Sequence, residues 1–303
     1  MMSETRSGQD TGSRITAVGI VLNLGLLTLK LAVGLLVGSA ALFADGIHSA
    51  SDIATDLAVL GGMRIARRKP DVAHPYGHGR FETLAGATVS GALILVGAYL
   101  VWTSGSGLYR GTESFPGAAV VFIAVLSVGI KEWLYRRTAS VATRVGSAAL
   151  LANAWHHRSD ALSSVAVLAG GIGGLVGWGH ADQLAGLIVG LMVVVAGGRT
   201  LGTTLHELTE GGVARSDLET AAEAIARVEG VRAWHQLRGR RVGRESFMDV
   251  HVLVDPQLSV VAAHHIATEV ENAVRGACER PVNVIVHVEP GAGDETAAVQ
   301  EEP

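Results

Sequence analysis

Cysteine is all but missing from this 303-residue chain. Cys278 stands alone, which excludes an intrachain disulfide and a thiolate-rich metal site, so any metal chemistry rests on His, Asp and Glu. Charge is scarce too: Asp, Glu, Lys and Arg make up 17% of the residues against 49% hydrophobic, and the mean hydropathy is +0.36. An ordinary soluble domain is neither so apolar nor so unevenly charged. The net charge of −4 comes without any basic patch interleaved with aromatics, so nucleic acid is not a partner. The opening residues lack the charged, apolar, small-residue succession of a cleavable signal. Residues 1–13 are expected to form a disordered cytoplasmic tail.

What the chain does have is apolar runs of bilayer-crossing length, at 15–37, 40–63, 81–108, 116–135, 145–178 and 185–205. Six spans in a lipid bilayer return both termini to one side. The basic residues set the orientation. Arg6 and Arg14 precede the first span, Arg64, Arg67, Arg68, Lys69 and Arg80 follow the second, and Arg136, Arg137 and Arg144 follow the fourth, against mainly Arg110 on the other face. The positive-inside rule then makes both termini cytoplasmic, in a plasma or inner membrane. The expected membrane domain is 14–210.

Past Gly211-Gly212 the composition becomes that of a soluble domain. A helix starting near Ser216, strands at 231–241 and 246–255, a helix at 260–275 and a strand at 282–288 give the order αββαβ. This is a small α+β domain over 211–290 with its helices on one sheet face. The acidic, apolar-poor segment 291–303 reads as a disordered tail.

Two short words stand inside the apolar text: HSASD, His48 to Asp52, and HHRSD, His156 to Asp160. An ionisable side chain within a span is costly and marks a functional site by default. Residues four apart lie one above the other on a helix, so His48 with Asp52 and His156 with Asp160 offer two imidazoles and two carboxylates to one ion. That set suits tetrahedral Zn²⁺, with Fe²⁺, Co²⁺ or Cd²⁺ following. Asp45 and Asp56 share the face of the second span. Asp45 fits an outer vestibule or proton path, or a satisfied helix-start residue, and Asp56 an inner position.

The loop after the second span spaces Asp71, His74 and His78 as DxxHxxxH. These residues hold a metal if the chain curls around it, or form a solvated loop held by Pro75 and Gly77. In the terminal domain His235, His251, His264 and His287, with Glu289, fall on or near strands, where scattered histidines are ordinarily surface residues. His157, His180 and His206 are read as non-ligands.

Six spans, HSASD in the second, HHRSD in the fifth, the loop DVAHPYGHGRFE and a terminal αββαβ domain together resemble the cation diffusion facilitator family. These are divalent-metal exporters that exchange metal for protons. The resemblance implies that His48, Asp52, His156 and Asp160 form the transport site. His at the first of these positions is similar to the zinc-preferring branch, with Ni²⁺ and Mn²⁺ also within the family's range. It further implies a loop metal site, a ferredoxin-like cytosolic domain that binds regulatory metal, an Arg80–Glu207 ion pair between helices or subunits, and a homodimer. Of the alternatives, an intramembrane metalloprotease needs a Glu base beside its metal, which neither word contains. A metal sensor without transport is the other.

Overall fold

Gly38 makes the first reversal. Its φ of +67° is left-handed backbone that glycine adopts at little cost, and it turns α1 (Met2–Val37) into α2 (Ala40–Ala66) across two residues. In this computed structural model the chain continues through α3 (Arg80–Tyr109), α4 (Gly117–Val145), α5 (Ala148–Leu175) and α6 (Ala181–Leu208). The structure describes residues 2–66, 68–115, 117–145 and 148–291, except the side chains of 2–14, 55, 56, 58–60, 63, 145, 148–150 and 152. Asp56 therefore lies outside the described side chains, and 292–303 outside the described chain.

Among the described residues, Ile15–Val37 of α1, all of α3, Gly117–Arg144 of α4 and all of α6 are long and apolar enough to cross a bilayer. The 27 residues of α2 and 28 of α5 are as long, and they carry the two polar words. Two boundaries differ from expectation. The backbone of α1 is helical from Met2, through the segment expected to be disordered, since no proline interrupts it and extending an existing helix is cheap. Likewise α4 runs past 135 to Val145, where Arg136, Arg137, Ala139, Ala142 and Arg144 favour helix.

The chain divides into two compact units, 1–57 with 89–199 and 58–88 with 200–303. In the first, Ala41, Leu42 and Ala44 of α2 bury against Leu100 of α3, Val120, Ile123 and Ala124 of α4, Val167 of α5, and Ala185 and Val189 of α6. Small residues set how closely these helices approach, as in membrane bundles generally. A Cβ on Gly97 would stand 2.8 Å from Val194 Cγ2 and 3.1 Å from the Gly190 carbonyl oxygen; one on Gly170 would stand 2.6 Å from Ala185 Cβ. The start of α2 is held by a residue of α6. Asp182, fully buried, accepts from Ser39 Oγ at 2.5 Å and from the Ala40 N–H at 2.7 Å. A carboxylate there satisfies orphan N–H groups and complements the positive end of the helix.

In the second unit the terminal domain follows as α7 (Arg215–Ala226), β1 (Ala233–Val242), β2 (Glu245–Val254), α8 (Val260–Ala277) and β3 (Val282–Pro290). The order is αββαβ. β1 pairs antiparallel with β2, and β2 pairs parallel with β3. Alternation along β2 sends Met248, Val250, Val252 and Val254 inward, where they pack with Ala221 and Ile225 of α7 and Val270 and Val274 of α8. The opposite face of the sheet carries Phe247, Asp249 and His251.

Candidate functional site

The membrane cluster grows from α2 and α5. One turn separates His48 from Asp52, and ligand atoms of His48, Asp52 and Asp160 all lie within 4.8 Å of one another. His156 approaches from the side, its Nδ1 3.7 Å from Asp160 Oδ1, with its side chain half-exposed. Asp52, His156 and Asp160 border a cavity of about 140 Å³. Sequence reasoning missed one member. Lys131 of α4, buried, places Nζ 2.7 Å from Asp160 Oδ2. A lysine in the middle of an apolar run is as costly as a carboxylate there, and that signal was open to reading.

Asp45 stands apart from the cluster. It is fully buried and paired with Lys30 at 2.8 Å, while Ser163 Oγ and Ser164 Oγ donate to its two oxygens at 2.6 and 2.9 Å. Lys30 also donates to Ser49 Oγ and Ser164 Oγ. Neither a vestibule nor a helix cap describes this residue: every oxygen of Asp45 has a partner inside the bundle.

The loop residues come together within the second unit. Asp71 Oδ1 accepts the His74 N–H at 2.7 Å, and His74 Nδ1 and His78 Nε2 each lie 3.4 Å from an oxygen of Asp71. Gly77, with φ +86°, makes the turn. The two rings are 4.4 Å apart, and His78 stacks on Phe81. The His74 backbone N–H, with the imidazoles nearby, holds the Asp71 carboxyl below the usual carboxylate range. A ligand that stays ionised around one turn of chain suits a borderline cation.

In the terminal domain the sheet register does the assembling. His235 of β1 stands opposite His251 of β2, which stands opposite His287 of β3. Three imidazoles thus form a row on the face away from the helices, with ring centroids 5.1 and 4.7 Å apart. Glu289, two residues beyond His287 and so on the same face, places Oε2 3.0 Å from His235 Nε2 and Oε1 2.8 Å from His251 Nδ1. Those hydrogen bonds lower the Glu289 carboxyl below its usual range. His264 does not join them. It is exposed on α8, and α8 packs on the opposite face of the sheet.

Arg80 does meet an acid, but not the expected one. Its guanidinium pairs with the Glu210 carboxylate and donates to the Glu207 backbone carbonyl at 2.8 Å. The Glu207 carboxylate is taken by Thr83 Oγ1 and the Gly243 N–H, each at 2.6 Å. The cause is the end of α6, where Glu210 turns left-handed with φ 63°. That turn reverses the chain and brings Glu210 to Arg80.

Helices that cross a bilayer, a cluster of imidazoles and carboxylates inside them, and an α+β domain with a second such cluster define a multi-pass integral membrane protein built to handle cations. Residues 16–209 match the family model described as cation efflux transmembrane domain, which takes in all six helices, and 214–291 match cation efflux protein, cytoplasmic domain. The chain belongs to this family, the cation diffusion facilitators. Metal tolerance protein C1 of Arabidopsis thaliana is 35% identical over 296 residues, 93% of this chain and 63% of that protein, so the chain spans just under two thirds of its length. The manganese efflux system protein MneP of Bacillus subtilis is 30% identical, covering 91% of this chain and 95% of that one. Magnetosome protein MamB of Magnetospira sp. is 32% identical, covering 89% and 92%.

Proposed function

We propose that the protein carries a divalent transition metal, Zn²⁺ foremost, out of the cytoplasm by alternating access with protons as the coupling ion, through His48, Asp52, His156 and Asp160. The observation that carries this reading is the convergence of His48, Asp52 and Asp160 within 4.8 Å inside the helix bundle. In a tetrahedral zinc site with bonds of about 2.0 Å, neighbouring ligand atoms sit about 3.3 Å apart. A contraction of at most about 1.5 Å assembles the site, and a ring rotation brings in His156. Ligands bind metal only when deprotonated, so metal and protons compete for the same four groups. Imidazole chemistry sets such an exchange near physiological pH.

In this reading 14–210 is the membrane domain with both termini cytoplasmic, in a plasma or inner membrane. The unit 211–290 is a cytosolic metal-binding and dimerisation domain, and its row of three imidazoles with Glu289 supports regulatory metal there. The loop cluster Asp71, His74 and His78 is a second accessory site. Manganese is the competing substrate, favoured by the likeness to the manganese efflux protein along nearly its whole length. A metalloenzyme is disfavoured because neither HSASD nor HHRSD supplies a Glu to act as general base.

Proteoliposomes with an imposed pH gradient test the proposal against Zn²⁺, Mn²⁺, Fe²⁺, Co²⁺, Ni²⁺ and Cd²⁺. Zinc uptake is expected to require the gradient, to vanish in Asp52→Ala and to give way to other metals in His48→Asp. Uptake that ignores the gradient and survives Asp52→Ala ends it. Binding without flux would make the protein a sensor.

A further inference from the structure

Asp160 already holds a cation. Lys131 Nζ is 2.7 Å from its Oδ2, with only 3% of the lysine side chain exposed. A buried ammonium needs a partner of opposite charge, and Asp160 is the one it has. The other oxygen of the same carboxylate faces His156. Formally Asp52, Asp160 and Lys131 leave one net negative charge, and a divalent ion added beside an unmoved lysine turns it into one net positive charge in a poorly screening interior.

The same cavity contains an acceptor that nothing uses. Asn23 lines it together with Lys131 and Asp160, and Asn23 Oδ1 is buried without a hydrogen-bond partner among the described residues. The second buried lysine, Lys30, shows the contrast. It is bonded to Asp45, Ser49 and Ser164 at once, a closed set that fixes it in place.

Resting on the transport-site reading, we propose that Lys131 is a tethered competitor of the substrate. Its ammonium neutralises Asp160 while the site is empty, moves to Asn23 Oδ1 when a divalent cation takes that oxygen, and returns to Asp160 as the metal leaves. Lys131 acts through Asp160 and is a positioning residue: it lowers metal affinity and hastens release, with no change in its own charge.

The test uses the full chain in detergent, in a His74→Ala, His251→Ala, Glu289→Ala background that removes the other two clusters. Zinc binding is read by competition with a chromogenic chelator, and zinc uptake in proteoliposomes gives KM and kcat. Lys131→Gln is expected to bind zinc about ten- to a hundredfold tighter, the scale of removing one nearby charge from a protein interior, with KM and kcat falling together. Lys131→Arg keeps the charge and is expected to bind zinc no tighter than the parent. Asn23→Leu removes the alternative seat and is expected to raise KM.

Zinc binding by Lys131→Gln that is unchanged or weaker overturns the proposal. If that variant does not fold, Lys131→Arg decides, and tighter binding by it overturns the proposal equally. Asp160→Asn separates the two readings. If it binds zinc like the parent, the transport site itself is wrong; if it loses zinc while Lys131→Gln fails to tighten, only the tethered competitor is.

Discussion

Glu289 Oε1 lies 2.8 Å from His251 Nδ1, a side chain of β3 reaching diagonally onto β2. With His235 on its other oxygen, the carboxylate stays ionised in the folded chain at pH values where an unfolded chain has begun to protonate it. The folded value is depressed, so the stability it contributes is complete above the ordinary value of 4.5 and is lost as pH falls through the folded one. A carbon-13 NMR titration should place the Glu289 midpoint below 4.5, with His251→Ala raising it. A midpoint that His251→Ala leaves in place would contradict the assignment of cause.

The Lys30–Asp45 pair makes a double-mutant prediction. Lys30→Met alone leaves a fully buried carboxylate without its cation and should cost about 3–5 kcal/mol. Adding Asp45→Leu should recover most of that loss, because apolar replacement of a whole buried pair is often close to neutral. Thermal unfolding in one detergent compares the three. Equal unfolding of the single and double variants would mean that the pair is not the unit of stability.

At the end of α6 two neighbouring acids should rank in a definite order. Glu210 is more than half exposed, and its ion pairs with Arg80 and Arg240 fall in a class worth about 0–1 kcal/mol. The Glu207 carboxylate joins Thr83 to the Gly243 N–H, charge-assisted bonds worth about 1.5–3 kcal/mol. Glu207→Ala should therefore unfold at clearly lower temperature than Glu210→Ala. The reverse order would show that the Arg80 pair is the stronger of the two.

Glycine contacts separate helix approach from helix propensity. A methyl at Gly170 meets Ala185 Cβ at 2.6 Å and the Ala181 carbonyl oxygen at 3.1 Å, whereas one at Gly129 meets nothing within 4 Å. Gly170→Ala should cost about 1–3 kcal/mol from overpacking, and Gly129→Ala should stabilise by up to about 1 kcal/mol through helix propensity. Comparable melting of the two variants would remove the close α5–α6 crossing.

The parts of the molecule that follow from periodicity could be read from residues alone. The i, i+4 spacing put His48 over Asp52 and His156 over Asp160, and composition marked the change to an αββαβ domain. Partners supplied by other elements could not be read this way. Strand register, which lines up His235, His251 and His287 and leaves His264 behind on α8, depends on which strands pair and how they are offset. Glu207 and Glu210 are three residues apart, and a single left-handed residue at the helix end decides which carboxylate meets Arg80. Lys131 is legible as a charge inside an apolar run, though its partner Asp160 on α5 is not. The pairing of Lys30 with Asp45 could not be read either, because neither residue's position on its own helix says which neighbour it faces.

The hold of Asp182 on the first residues of α2 also fixes where that helix can pivot. His48 and Asp52 lie 8 and 12 residues beyond Ala40, about 12 and 18 Å along the axis at 1.5 Å per residue. With its foot clamped, α2 is a lever, and a tilt of about 10° carries Asp52 sideways by about 3 Å and His48 by about 2 Å. Such a displacement is comparable to the difference between a ligand cluster too wide to grip a small cation and one that closes on it. If His48 and Asp52 are ligands as proposed, a modest swing about one buried aspartate is enough to open or shut the coordination sphere.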